Sequence, residues 1–550
     1  CPSNPLRVGY AQRGVCLVPL NATGGSEGSL CEVLSKGDPM NFRDYYKQNQ
    51  NVIVFMVRVM LVHPNKWGRG ITAIWIPSHA GVARDLGHDV QLFDATFYRD
   101  WTVDETTYNT ENRQYKPSDY HQHITYSDTP IRAAFEEAVH SFKPDVILLS
   151  AFSSHIHGEG EYVNIQYSYQ LLEGIEHDAF VVAGGLQATA DPEGIVRRFP
   201  FVDVFIRGES ELVFGQILSS IESSTEWRET PGLAFKDGDS VLVNPPQEII
   251  SDMDAIPIYD YSVFENQAFW RPYNGEVLKA VDYELSRGCP FSCTYCVETV
   301  IQKYYGFEEI GASGVIKNSR KYLRNKSAER AFMEIKYLHE HHGITLFRCQ
   351  DTNFLSIEKS VLKGLADKFD EWGASIKLYI ETRPETITPA NIELLLRLKV
   401  DGVGMGVELA SEDFRKSSLN RFPSQERIFR AFDLLKEAGI RRTAYNIIGL
   451  PNEGEEEIIE TVLLNRELDP DNVTVAFYSP YIGTIEQRKS NDLDYFDDYE
   501  YHVDGQLRTL TRSSHVDSAT LEFYKKHFVR LVSDGIEIID ELKKTDLDEG

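Results

Sequence analysis

Ala280-Val-Asp-Tyr-Glu-Leu285-Ser-Arg-Gly-Cys289-Pro-Phe-Ser-Cys293-Thr-Tyr-Cys296 runs from an apolar stretch straight into three cysteines. Ala280–Leu285 reads as a buried strand, and the cysteines sit on the loop that leaves it, spaced Cys-x3-Cys-x2-Cys. Three thiolates on one short loop can each take one iron of a cubane cluster. With no fourth Cys nearby, one iron keeps an open position. Zinc would want a fourth Cys or His at finger-like spacing, and none closes this loop. The motif therefore reads as a [4Fe–4S] site with Cys289, Cys293 and Cys296 as metal ligands.

Working outward, the strand opens a series. Thr345–Cys349, Ile376–Ile380, Gly402–Val407, Thr443–Ile448 and Val473–Phe477 read as further strands. Helical stretches separate them: Ala328–His341, Ile357–Trp372, Pro389–Leu398, Gln425–Ala438 and Glu455–Leu468. Strand alternating with helix means parallel pairing, and six such units over residues 276–485 predict a partial (β/α)6 barrel. Upstream, residues 56–225 alternate in the same way. Val57–Pro64, Val90–Asp94, Val146–Ala151, Phe180–Ala183 and Val202–Ile206 are strand-like, which predicts a doubly wound, Rossmann-like α/β domain. Its strand ends, where ligands bind on such sheets, carry Asn65, Ser150, Ser153, Gly184 and Gly185. Residues 226–275, rich in Pro, read as a linker. Residues 486–550 read as a small, mainly helical C-terminal region, helical from Ser518 to Lys544. Residues 1–55 lack periodicity and read as a poorly ordered leader.

The 550 residues carry a net charge of −28, with 42% hydrophobic and 25% charged residues. That acidity argues against phosphate-backbone contact and anionic membrane surfaces, and points to small-molecule partners. No run is long and apolar enough to span a bilayer, and the N-terminus does not read as a secretory signal. Seven cysteines in so long a chain are not a disulfide framework and suit a reducing, cytoplasmic setting. Cys349, on a predicted strand, reads as a core thiol.

The strand ends carry a further set of short motifs. They are Arg287-Gly-Cys-Pro290, Gln350-Asp-Thr-Asn-Phe354, Glu381-Thr-Arg-Pro384, Gly404-Met-Gly-Val-Glu408, Ile447-Ile-Gly-Leu-Pro451 and Tyr478-Ser-Pro-Tyr-Ile-Gly-Thr484. In this order the chain resembles the radical S-adenosylmethionine (SAM) superfamily, specifically its branch with an N-terminal cobalamin-binding domain, and most of all that branch's methyltransferases. The resemblance implies that SAM chelates the open iron through its amino and carboxylate groups. It also implies that Tyr295 lies against adenine, that Asp351 and Glu408 face SAM, that Arg383 pairs with a carboxylate, and that Gly449 and Pro451 approach adenine. In the N-terminal domain the Gly184-Gly185 loop would admit the nucleotide tail of cobalamin. The Asp-x-His-x-x-Gly motif that supplies a lower axial His in many cobalamin proteins is absent. His155 and His157, after the third strand, could reach the corrin.

The reaction so implied is methylation of an unactivated carbon of a small molecule. A 5′-deoxyadenosyl radical would take hydrogen, methylcobalamin would deliver the methyl group, and an external one-electron reductant such as flavodoxin or ferredoxin would feed the cluster. The same parts could instead serve a ring-forming or rearranging reaction, or a non-catalytic cobalamin or redox sensor. No nucleic-acid or membrane partner is expected.

Overall fold

The computed structural model describes residues 9–10, 15–16, 56–151, 160–311, 314–478, 481–492 and 515–549. Gly9–Tyr10 pairs with Val15–Cys16, and the rest of the predicted leader lies outside the described residues. The first sheet is built on β1 (Arg58–His63), whose Val59 and Leu61 face one side while Met60 and Val62 face the other, all fully buried. A strand apolar on both faces needs helices on both. One face carries α1 (Trp75–Asp85) and α6 (Glu211–Ser223), and the other carries α2 (Ile131–Phe142), α3 (Gly160–Leu172) and α5 (Pro192–Arg198). The short α4 (Leu186–Ala190) follows the fourth strand.

With β2 (Asp89–Asp94), β3 (Val146–Leu148), β4 (Phe180–Gly185) and β5 (Val204–Arg207), five parallel strands run in the order β2-β1-β3-β4-β5. The winding reverses between β1 and β3, so a crevice opens at their carboxyl ends, beside Asn65 and Ser150. The sheet does not stop at residue 225. An antiparallel hairpin, β6 (Leu233–Asp237) and β7 (Ser240–Val243), completes it at seven strands.

The predicted linker is thus corrected. Its prolines bracket ordered elements instead of marking loose chain. Tyr259, Tyr261, Phe264 and Phe269 are buried in a core shared by both sheets. β8 (Trp270–Tyr273) turns through Asn274-Gly275, both at positive φ, to pair antiparallel with β9 (Glu276–Tyr283).

From β9 the second sheet proceeds in simple sequence. A small antiparallel pair, β10 (Ser286–Arg287) with β11 (Arg324–Asn325), flanks the cysteine loop. Then β12 (Leu346–Cys349), β13 (Lys377–Thr382), β14 (Val400–Glu408), β15 (Arg441–Ile448) and β16 (Asn472–Phe477) pair parallel in that order. β9 and β16 do not pair with each other, so the six parallel strands form an open, partial barrel. Its outer face is covered by α7 (Ala328–His342), α8 (Lys359–Trp372), α9 (Pro389–Arg397), α10 (Gln425–Glu437) and α11 (Glu455–Leu468).

The predicted C-terminal helix is two helices, α12 (Ser518–Asp534) and α13 (Ile539–Glu549), parted at Gly535 with φ 108°. α12 lays Leu521, Tyr524, Phe528 and Leu531 on Val473 and Val475 of β16 and on Ile458 and Val462 of α11. It covers the flank of the sixth strand. Among the described residues no helix is long and apolar enough to cross a membrane.

Candidate active site

The three cysteines ride on the loop between β10 and the helix Glu298–Tyr304. That loop is pinned from several sides. Glu298 Oε1 accepts from Cys289 N at 2.9 Å, and Gln302 Nε2 donates to the carbonyls of Cys289 and Phe291 at 2.9 and 2.8 Å. Asn420 Nδ2 donates to Ser292 O at 2.8 Å, and Thr294 Oγ1 donates to Ser418 O at 2.6 Å. Cys289 and Cys293 are buried and Cys296 is half-buried, and none is in a disulfide.

Burial pushes the Cys289 and Cys296 thiols up. The neighbouring Glu298 and the other cysteines of the loop push them further, which places the three within electrostatic reach of one another. Thiols so disfavoured as free anions suit a site where iron supplies the positive charge. Among the described residues no three His, Cys, Asp or Glu side chains already converge as on a metal ion.

Arg383, just past β13, donates through Nη1 to Cys293 Sγ at 3.1 Å, stacks on Phe291 with its carbon 3.8 Å from the ring centroid, and pairs with Glu385 at 2.6 Å. Arg383 thus makes a structural salt bridge within its own loop, and its guanidinium also reaches the cysteine sulfur.

At the end of β14 a register shift and a positive φ of 68° at Glu408 turn its carboxylate toward the cysteine loop. There Tyr295 OH donates to Glu408 Oε1 at 2.8 Å, and Arg421 lies 3.2 Å from the same oxygen. Tyr295 and Glu408, predicted separately, are thus one unit, and Arg421 joins them. Sequence reasoning missed Arg421 because Leu419-Asn-Arg421 lies in a loop with no recognisable spacing.

Asp351 accepts from the backbone N–H groups of Leu285 and Ser286 and from Ser286 Oγ, at 3.1, 2.5 and 2.5 Å. It clasps the chain just before the cysteines. Its second oxygen is buried without a partner, and burial raises the carboxyl to about 7. Gly449, at φ 81°, donates to buried Glu453 at 2.5 Å, and Pro451 follows on the same buried turn.

In the N-terminal crevice Asn65 makes a local turn. It accepts from Trp67 N at 3.0 Å and donates to Thr96 Oγ1 and Arg69 O, each at 2.9 Å. Ser150 Oγ donates to Gly184 O at 2.9 Å. Gly185 has φ 124°, a region closed to most side chains, and a Cβ on Gly184 would stand 2.8 Å from Ile206 O. Buried His63, the last residue of β1, has at most a poorly aligned contact with the Ile71 backbone, and Oε1 of buried Gln187 lacks a partner, so polar groups there remain for a polar ligand to satisfy. Ser153, His155 and His157 lie outside the described residues.

A dry ion network joins the two halves. Arg287 reaches Glu211 and Glu284 at 2.6 Å each, and Arg324 reaches Glu209 at 2.6 Å. Burial alone would raise the Glu211 carboxyl, but the Arg287 guanidinium overrides it and holds it at about 2. A second tie is Arg271–Asp282 at 2.7 Å, with Thr72 N and Oγ1 donating to the same carboxylate oxygen at 3.0 and 3.1 Å.

Inside the barrel, Val403, Met405 and Val407 of β14 pack outward into the core, leaving Gly402, Gly404 and Gly406 on the inner face. The space above Gly404 is taken by tyrosines, since its Cβ would fall 2.6 Å from Tyr445 OH and 2.8 Å from Tyr379 OH. Those hydroxyls are 2.7 Å apart, and Tyr445 donates to Glu381 at 3.2 Å.

Comparison with known proteins agrees with this geometry. The radical SAM superfamily profile matches residues 283–464, and the B12 binding domain profile matches residues 114–218. The chain is an enzyme that joins a B12-binding domain to a radical SAM domain.

The enzyme's cofactors are accordingly a [4Fe–4S] cluster, SAM and cobalamin. It is 26% identical over 361 residues to an uncharacterized methyltransferase of Pyrococcus horikoshii, covering 66% of this chain and 71% of that protein. It is 23% identical over 430 residues to the anaerobic magnesium-protoporphyrin IX monomethyl ester cyclase of Cereibacter sphaeroides, covering 75% of this chain but 64% of the cyclase. Among solved structures its fold is similar to the radical SAM methyltransferase TsrM from Kitasatospora setae, with cobalamin and a [4Fe–4S] cluster bound. That match has a TM-score of 0.58 and 16% identity, over 80% of this chain and 75% of that one.

Proposed function

We propose that this enzyme is a cobalamin-dependent C-methyltransferase acting on an unactivated carbon of a small molecule. The observation that carries the reading is the buried Arg287–Glu211 contact, which fixes the cysteine loop to the domain matched by the B12 profile. When bound, the three cofactors supply the 5′-deoxyadenosyl radical and the methyl group. The chain's own part is positional. Cys289, Cys293 and Cys296 hold the cluster, and Tyr295, Glu408 and Arg421 form the wall beside it. Asp351 fixes the approach to the loop, and Gly184-Gly185 leave the crevice open. Methyltransferases among the relatives support this outcome. The electrons would come from a small reductant such as flavodoxin or ferredoxin, in the cytoplasm.

A second reading is ring formation with the same parts, favoured by the similarity to the cyclases. The two part on one product. A methyltransferase forms S-adenosylhomocysteine with every turnover, alongside 5′-deoxyadenosine. Stoichiometric 5′-deoxyadenosine with no S-adenosylhomocysteine would overturn the methyltransferase reading and leave the cyclase-like one.

A further inference from the structure

We infer that Arg348 anchors an oxyanion of the substrate, a carboxylate or a phosphate, inside the barrel; this rests on the proposed function in taking the barrel as the substrate's seat. Arg348 lies in the middle of β12, between Phe347 and Cys349, which both turn outward into the core. Its own side chain therefore faces inward, in register with Asp282 on β9 and Tyr379 on β13. It is half-buried, and among the described residues it makes no hydrogen bond and no ion pair. It stands over the Tyr379 ring, 5.9 Å from the centroid, and feels the charge of Asp282 from a distance without touching it.

Every other arginine nearby is matched. Arg69 pairs with Glu105 at 2.8 Å, Arg271 with Asp282 at 2.7 Å, Arg383 with Glu385 at 2.6 Å, Arg421 with Glu408 at 3.2 Å, and Arg441 with Asp401. Asp282, the acid facing Arg348 across the strands, is already engaged by Arg271, by Thr72 and by Gln350 Nε2 at 3.0 Å. The acid on the next strand, Glu381, is raised by burial to about 7, accepts from Tyr445 at 3.2 Å and makes no contact pair with Arg348.

Asp282 sustains the charge from across the strands, but no acid meets the guanidinium's N–H groups, and its planar fork suits a carboxylate or phosphate. The Tyr379 and Tyr445 hydroxyls beside it add polar contacts for the rest of such a molecule. The cofactor-facing residues lie higher. Asp351 is three positions further along, so at about 3.3 Å per residue Arg348 sits roughly 10 Å below the rim. Below it, Tyr273 donates to Asp401 at 2.8 Å and Arg441 pairs with the same carboxylate, closing the floor. An anion reaching Arg348 thus comes from the rim side.

The experiment titrates cofactor-loaded enzyme with benzoate and with phenyl phosphate, following heat of binding, for the natural chain, Arg348→Met and Arg348→Lys. The expected result is saturable binding of at least one probe, weakened tenfold or more by Arg348→Met and partly kept by Arg348→Lys. Preference for benzoate would identify a carboxylate substrate, and preference for phenyl phosphate a phosphorylated one. Equal binding by the natural chain and Arg348→Met would overturn the assignment, as would absence of binding by the natural chain. Loss of SAM binding together with the probe in Arg348→Met would place Arg348 in the cofactor site and also overturn it. The proposed reaction is checked separately in the natural chain: if that forms no 5′-deoxyadenosine while still binding the probe, the function fails and the anion site stands.

Discussion

Arg287, two positions before the first cysteine, meets Glu211 at 2.6 Å, 76 residues upstream on the other domain. Removing Glu211 leaves Arg287 with Glu284 as its close partner, so the loss should fall below the roughly 3–5 kcal/mol of a fully orphaned dry charge. Glu211→Gln is therefore expected to lower the denaturant midpoint at neutral pH by the equivalent of that loss. Because the folded carboxyl sits at about 2, below its ordinary value, the pair's contribution is complete above the ordinary carboxylate range and fades as pH falls toward 2. The gap between natural chain and variant should close on acidification. A gap that stayed constant from pH 7 to pH 3 would contradict the charge pairing.

Cys293→Ala should leave the protein folded but without its cluster. Reconstituted natural chain is expected to hold about four irons per chain, and the variant close to none. Iron and sulfide analysis with visible absorption decides this, and full iron in the variant would remove Cys293 from the ligand set.

Arg383 donates to Cys293 Sγ at 3.1 Å. A charged hydrogen bond to a cluster sulfur favours the reduced, more negative state. With such a bond taken as about 1.5–3 kcal/mol, and about 59 mV per tenfold for one electron, Arg383→Met should lower the midpoint potential by roughly 60–130 mV. A redox titration followed by electron paramagnetic resonance measures it. An unchanged potential would mean the contact does not persist in the loaded enzyme.

Gly185 holds φ 124° at the end of β4. Gly185→Val forces a branched side chain into that region, at a cost on the order of 1–3 kcal/mol, and narrows the crevice. The expected outcome is at least a tenfold fall in cobalamin uptake with iron content unchanged, since the cluster loop belongs to the other sheet. Normal cobalamin binding would show that the nucleotide tail enters elsewhere.

Both sheets were legible in the sequence because the buried strands carry compact apolar runs, unbroken over Val59–Val62 and alternating with glycine over Val403–Val407. The Cys-x3-Cys-x2-Cys loop was legible because its spacing is rigid. What escaped notice depended on contacts between distant segments. The hairpin at 233–243 and the aromatic segment at 259–269 gain their order from packing against two sheets at once, and no local pattern records that. Asn274-Gly275 did carry a hairpin signal, which the surrounding prolines masked. Arg421 and Arg348 are ordinary arginines in sequence. Only the register of β12 against β9 and β13, and the loop that returns Arg421 to Tyr295, set them apart.

The ion network around Arg287 also bears on how such enzymes could be recombined. Glu209 and Glu211 lie in one domain, and Glu284, Arg287 and Arg324 in the other, with every member almost dry. A chimera that took its first domain from a relative lacking those two acids would bring Arg287 and Arg324 into a waterless seam with too few anions. Exchange of whole domains should therefore succeed only when these five positions travel as a set, which makes the seam, and not the catalytic loop, the barrier to shuffling.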